Sequence, residues 1–108
     1  MKGARTCQIR ELNDDARRTF EGCRVLITKG LQDSSDLATI LDRVKHFSDF
    51  TPANDPYGEH DFGVIQMADQ TIFWKFDYYD LDLTMRSLDP SEPAITTRVL
   101  TIMLADEY

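Results

Sequence analysis

Thr71-Ile72-Phe73-Trp74-Lys75-Phe76-Asp77-Tyr78-Tyr79-Asp80 is the most aromatic stretch of the chain, and its reading decides the fold. Ile72, Trp74 and Phe76 recur at every second residue, the period of a strand with one buried face. Lys75 and Asp77 share the other face, as neighbours able to form an ion pair. Upstream, Phe62 to Met67 has the same strand character, and Ala68-Asp69-Gln70 joins the two runs without an Asn-Gly or Asp-Gly turn signal. Downstream, Leu81, Leu83 and Met85 have the opposite parity to Trp74. A continuous strand would send one of these sets to solvent. A bulge or break is therefore predicted between Asp77 and Asp80, with a further short strand at about Asp82 to Arg86.

Outside this region the elements alternate. Ile9, Leu12, Ala16 and Phe20, three or four apart, predict a helix from about Thr6 to Thr19, with Arg10, Arg17 and Arg18 largely off its buried face. Residues 1–5 are expected to be a disordered terminus. Gly22 ends that helix, and Cys23, Val25 and Ile27 alternate through a strand, Arg24 to Thr28. Asp33-Ser34-Ser35 caps a second helix carrying Leu37, Ile40, Leu41, Val44 and Phe47. Thr51-Pro52 and Asp55-Pro56 forbid its continuation, because a residue before proline is pushed to extended geometry, and a loop from Ser48 to His60 follows. At the far end Asp89-Pro90-Ser91-Glu92-Pro93 opens a last helix with Ile95, Val99, Ile102 and Met103 as its buried stripe. The expected fold is α+β: a single domain over 1–108, with a mostly antiparallel sheet of about four strands and about three packed helices, in the order α-β-α-β-β-β-α.

Composition excludes several classes. Hydrophobic residues at 42% and charged residues at 29% suit a folded globular chain rather than a disordered one. No apolar run approaches the roughly 20 residues of a membrane helix, and the two early basic residues have no apolar segment behind them, so neither membrane span nor signal peptide is expected. Cys7 and Cys23 lack CxxC spacing, which makes a reduced cytoplasmic setting with free thiols the expectation. Cys7, near the start of a helix, has the setting of a mildly activated thiol. The net charge of −7 is uneven: residues 1–48 carry +2, residues 49–92 carry −8 with only Lys75 and Arg86 as bases, and the last sixteen carry −1. Phosphates would be repelled from the central segment, so no direct nucleic acid binding is expected there. A cation, a basic protein surface, or plain solubility remain compatible with it.

The chemistry-bearing stretch is Asn54-Asp55-Pro56-Tyr57-Gly58-Glu59-His60-Asp61-Phe62-Gly63, a loop running into the aromatic strand pair. If the chain is catalytic, Glu59, His60 and Asp61 are the candidates, since carboxylates beside an imidazole favour its charged form. Neighbours in an extended segment point to opposite sides, so these three converge only through a turn, for which Tyr57-Gly58 is available. No second histidine stands at ligand spacing; His46 ends the second helix, where a cation suits the helix dipole. Asp77, Asp80 and Asp82 beside Tyr78 and Tyr79 offer oxygen ligands for a hard cation, without the glycine and terminal glutamate of a calcium loop. Trp74, Phe73 and Phe76 read as core rather than as a stacking platform for bases. There is no Gly-rich phosphate loop and no GxSxG elbow. No cofactor and no metal site are expected.

The block from Asn54 to Gly63, then Phe73-Trp74-Lys75-Phe76-Asp77-Tyr78-Tyr79-Asp80, then Thr97-Arg98-Val99-Leu100-Thr101-Ile102-Met103-Leu104-Ala105-Asp106-Glu107-Tyr108, resemble the signature blocks of a small bacterial family, domain of unknown function 3768. The likeness runs from about Arg10 to Tyr108; at Ala53 the family more often has a polar residue. It implies a single-domain cytoplasmic protein often encoded on plasmids and other mobile elements, and supplies no activity or catalytic residue. The leading expectation is a non-enzymatic protein-binding module that occupies a basic protein surface, as an inhibitor or DNA mimic acting on a nucleic-acid machine. Its partner-binding residues would be Asp55, Tyr57, Glu59, His60, Asp61, Asp77, Tyr79, Asp80 and Asp82. Alternatives are a metal-assisted hydrolase built from His60, Glu59, Asp55 and Asp77, and a structural homo-oligomer. The oligomeric state is open.

Overall fold

The aromatic run forms the centre of a four-stranded mixed sheet. In this computed structural model the described residues run from Lys2 to Tyr108, with side chains described from Gly3 onward. Helix α1 (Lys2–Thr19) leads into β1 (Arg24–Ile27); a one-turn helix α2 (Lys29–Gln32) and helix α3 (Leu37–Lys45) follow, then β2 (Phe62–Met67), β3 (Gln70–Tyr79) and β4 (Thr97–Leu104). The strands lie in the order β1-β4-β3-β2, with β1 parallel to β4 and the other two pairings antiparallel. The α+β class and the number of strands agree with the sequence reading, but only β1, β2 and β3 are strands it expected.

The hairpin β2–β3 sets Gly63 directly opposite Trp74. A Cβ on Gly63 would lie 2.2 Å from Trp74 Nε1, so only glycine lets the indole lie across its partner strand. Trp74 is fully buried and meets Phe47, Phe50 and Phe76 edge-on, at centroid distances of 5.4, 6.1 and 6.0 Å. Ile65, Ile72, Phe76, Leu100 and Ile102 share its face and pack against Ala16 of α1, Leu31 of α2 and Ile40 and Val44 of α3. The helices thus cover one face of the sheet. The other face carries no helix among the described residues; Tyr108, after a 3-10 turn (Ala105–Glu107), stands edge-on to Phe73 at 5.8 Å.

Three sequence expectations are corrected. The predicted last helix is the central strand β4; its proline-rich opening forms a single 3-10 turn, Pro93–Ile95, capped by Glu92 on the Ala94 amide. Both faces of β4 are apolar, since Val99, Leu100, Ile102 and Met103 are all buried, and such a run satisfies a helical period as readily as a strand. Ile95 stays 41% exposed. The order is accordingly α-β-α-α-β-β-β. Second, β3 continues unbroken to Tyr79, and Asp82 to Arg86 is loop with one isolated bridge, Tyr79 to Arg86. The parity clash is resolved by leaving the sheet. Third, α1 begins at Lys2, so the expected disordered terminus is helical from residue 2, while Met1 lies outside the described residues. Cys7 therefore sits inside α1 rather than at its start, and both cysteines are free.

Glu107 ties the end of β4 to the turn between β1 and α2. Its carboxylate accepts from Thr28 Oγ1 at 2.7 Å, from the Gly30 amide at 2.9 Å and from the Leu104 amide at 3.1 Å. These bonds, that of Thr28 foremost, hold its pKa below the ordinary 4.5. A depressed folded value means stability present above the ordinary glutamate range and lost as pH falls through the folded pKa. Glu107→Gln should therefore melt below the parent at neutral pH, and the gap should close in acid, where the parent's carboxyl is also neutral. Thermal melts across the acid range check this; a gap independent of pH would show that the charge contributes nothing.

Candidate functional site

The candidate loop is held by a polar stripe on α1. Asn13 and Asp14 each stand three or four residues from Arg10 and from Arg17, so the four line one side of the helix. Arg10 Nη1 donates to the Gly58 carbonyl at 3.1 Å and Asn13 Nδ2 to the Glu59 carbonyl at 3.0 Å. Asp14 meets the His60 ring, its two oxygens 2.9 and 3.2 Å from Nδ1. Arg17, fully buried, donates to Asp14 at 2.9 Å, to the Val44 carbonyl at 3.1 Å and to the Phe47 carbonyl at 3.0 Å. Loop, helix and the end of α3 are thereby joined by one set of contacts.

His60 is the centre of this set. Its φ of 53° is the left-handed region, which costs a side-chain-bearing residue energy and is held by surrounding bonds. The His60 amide donates to Asp55 Oδ1 at 3.1 Å, and Nε2 lies 3.6 Å from Asp55 Oδ2. The ring stacks flat on Phe50, with centroids 3.7 Å apart and planes within 2°. Base and acid alternate as Arg17, Asp14, His60 and Asp55, in mostly buried surroundings. Such a chain specifies one geometry, and it is costly to break because each member's removal strands a neighbour. Both ring nitrogens face carboxylates and one ring face is covered. This is the arrangement of a brace for the loop.

A second network adjoins it. Tyr78 Oη donates to Glu59 Oε1 at 3.0 Å and accepts from Asn13 Nδ2 at 2.8 Å, while Arg98 Nε donates to Asn13 Oδ1 at 2.7 Å. The Arg98 guanidinium lies over the Tyr78 ring at 5.1 Å and also donates to the Pro90 carbonyl. Burial pushes the Tyr78 hydroxyl pKa far up, which keeps it a donor, and pulls both Arg98 and Arg17 below their ordinary value. Asp61 is half-buried and has no ion-pair partner among the described residues. Burial first, then the charge of Glu59, raises its pKa above the usual carboxylate value.

The sequence-predicted residues fall into separate groups. Asp55, Glu59, His60 and Asp61 gather where the loop meets α1, with Tyr57 78% exposed at the loop tip. Asp77 and Tyr79 lie on the opposite face of the sheet, where Asp77 accepts from Lys75 Nζ at 2.6 Å, the pair expected from their spacing. Asp80 and Asp82 belong to the β3–β4 loop; Asp80 caps it, accepting from the Thr84 amide at 3.0 Å and Thr84 Oγ1 at 3.1 Å. The four residues of the hydrolase reading do not converge, and no three His, Cys, Asp or Glu among the described residues stand where they could hold one metal ion. Sequence reasoning missed Asn13, Asp14, Arg17, Tyr78 and Arg98. The available signal was the spacing of Arg10, Asn13, Asp14 and Arg17, which is as regular as that of the apolar stripe.

Residues 9–107 match the family described as Protein of unknown function (DUF3768). The chain belongs to this family. No curated protein and no solved structure matches it. Both networks of this DUF3768 domain, from Arg10 to Arg98, lie inside the matched region. No helix among its described residues is long and apolar enough to cross a membrane.

Proposed function

We propose that this DUF3768 domain is a protein-binding module whose contact surface is the helix-free face of the sheet together with the β3–β4 loop. The observation that carries the reading is the loop itself. Leu81, Met85 and Leu88 are 60%, 71% and 94% exposed there, a concentration of apolar surface that a chain in water keeps mainly where a partner covers it. Leu83, at φ 61°, leans the loop onto a groove of about 520 Å3 lined also by Leu26, Tyr79, Val99, Met103 and Tyr108. The paired Lys75 and Asp77 lie within that groove.

Charge supports a basic partner with an apolar centre. Much of the acidic central segment is engaged internally: Asp55 by His60, Glu59 by Tyr78, Asp77 by Lys75, and Asp89 by Ser91 and Arg5. The exposed acids that remain, Asp82 of the loop among them, act as a rim that steers association while apolar contacts supply affinity. The narrower form of the proposal is inhibition of a cytoplasmic nucleic-acid machine through its basic surface, which the charge and the resemblance motivate. Surface acids divided among loop, groove and internal bonds support engagement of a protein surface more than imitation of a phosphate row.

The test takes the partner recovered from native cells with the parent chain as bait, then titrates variants against it. Met85→Lys and Leu88→Asp should each weaken binding by about tenfold or more without lowering the melting temperature. Asp82→Lys should slow association and flatten its dependence on salt. Full binding by these variants together with loss in His60→Ala would overturn the proposal and move the site to the Asp55–Asp61 loop.

A further inference from the structure

The two edges of the sheet differ. Edge strand β1 is four residues long, carries Arg24, and has its Ile27 carbonyl occupied by Gln32 Nε2 at 2.9 Å. Edge strand β2, Phe62-Gly63-Val64-Ile65-Gln66-Met67, has neither charge nor proline. Soluble proteins usually guard an exposed edge with one or the other, because unpaired amides and carbonyls recruit another strand. The Phe76 amide donates to the Asp61 carbonyl at 2.9 Å, so in this register the odd residues of β2 bond to β3 and the even ones face outward. Among the described residues, Phe62 and Val64 thus present free amides and carbonyls, with Val64 43% exposed, and at Gln66 only the carbonyl is engaged, by Arg43 Nη1 at 3.3 Å.

We propose that β2 is a self-pairing edge, through which two copies of this chain join antiparallel about a two-fold axis at Val64 into one continuous sheet. The sequence of the strand suits its own reverse. Val64 meets Val64 of the second copy and exchanges two hydrogen bonds with it, and Phe62 meets Gln66 and exchanges two more at each end. On the core side Ile65 meets Gly63 of the second copy, so the bulky residue faces the one without a side chain. His60 at φ 53° and Ala68 at φ 47° turn the chain off the strand line at both ends, which keeps Glu59 and Asp69 out of a repulsive ladder contact.

Charge complementarity selects a second copy over an unrelated strand. In this register Asp61 falls opposite Met67 of the other chain, on the core side and next to its Gln66, where that chain's Arg43 reaches the edge. Asp61 is half-buried and without a cation among the described residues of the single chain, and Arg43 of the second copy supplies one, twice over by symmetry. The pairing leaves the helix-free face uncovered, so it stands or falls independently of the partner-binding reading.

Analytical ultracentrifugation of the full chain tests it. The parent should show a concentration-dependent dimer. Val64→Pro removes an amide that meets no acceptor among the described residues of the single chain; proline is tolerated at such an outward edge position, so the variant should be a folded monomer. Arg43→Asp or Asp61→Lys should each weaken the dimer by about tenfold or more, and the two together should restore it. A parent that stays monomeric up to about 1 mM would overturn the proposal. So would a dimer indifferent to Val64→Pro and to both charge reversals, which would place the contact on the helix-free face.

Discussion

Arg17→Ala is expected to cost about 3–5 kcal/mol, the scale seen when one partner of a buried ion pair is removed. Arg17 is 1% exposed and engages Asp14 and the carbonyls of Val44 and Phe47. Its guanidinium also lies 5.1 Å from the Trp74 ring centroid and 5.3 Å from that of Phe50. Alanine would strand the Asp14 carboxylate with only His60 beside it, leave two carbonyls short of a donor, and open a cavity beneath the aromatic cluster. Arg17→Met separates these causes, since it refills much of the volume and restores none of the bonds. Denaturant unfolding of both variants reads the difference. A loss below about 1 kcal/mol in Arg17→Ala, the value of a surface ion pair, would show that water enters the cluster and that α1 does not brace the loop.

The second large effect lies at the Gly63–Trp74 pair. Trp74→Ala should cost about 3–5 kcal/mol, because a fully buried indole and its edge-on contacts with three phenylalanines are lost at once. Gly63→Ala should cost about 1–3 kcal/mol or more by overpacking, since the new methyl would lie within 2.2–2.7 Å of three indole atoms. The decisive measurement is the double variant. With the indole gone the methyl has room, so the two losses should be clearly less than additive. Additive losses would mean that Gly63 is needed for the strand's backbone rather than for the approach of Trp74. The Trp74 Nε1–H is buried without an acceptor among the described residues, so Trp74→Phe should lose less than its reduced size alone implies.

The sequence reading was most accurate where structure is local. The strand pair around Trp74, its buried trio Ile72, Trp74 and Phe76, the amphipathic α3 and the position of β1 all follow from periodicities within a few residues. It failed at β4 because that strand lies between β1 and β3 and buries both faces. The alternation that marks a strand is absent there, and the proline-rich entry resembles a helix start. It failed at Leu81, Leu83 and Met85 because exposed apolar residues were assumed to need a sheet, whereas they belong to a loop.

The candidate site was half legible. Carboxylates and an imidazole in one loop pointed to Asp55 and His60, which meet in the structure, whereas Asp77 and Tyr79 lie on the other face of the sheet, away from them. Arg17 was placed largely off the buried face of α1, whereas it and Asn13 are fully buried, because nothing nearby in the chain shows what covers them. The Val44 carbonyl that Arg17 binds is 27 residues away, and Arg98, which binds Asn13, is 85 residues away. Class, family, hairpin core and uneven charge follow from the order of residues alone, because side-chain spacing and composition are properties of neighbours. Which polar side chains are withdrawn from water, which face of the sheet stays open and which edge is free emerge only on folding. Each of those depends on where distant segments come to rest.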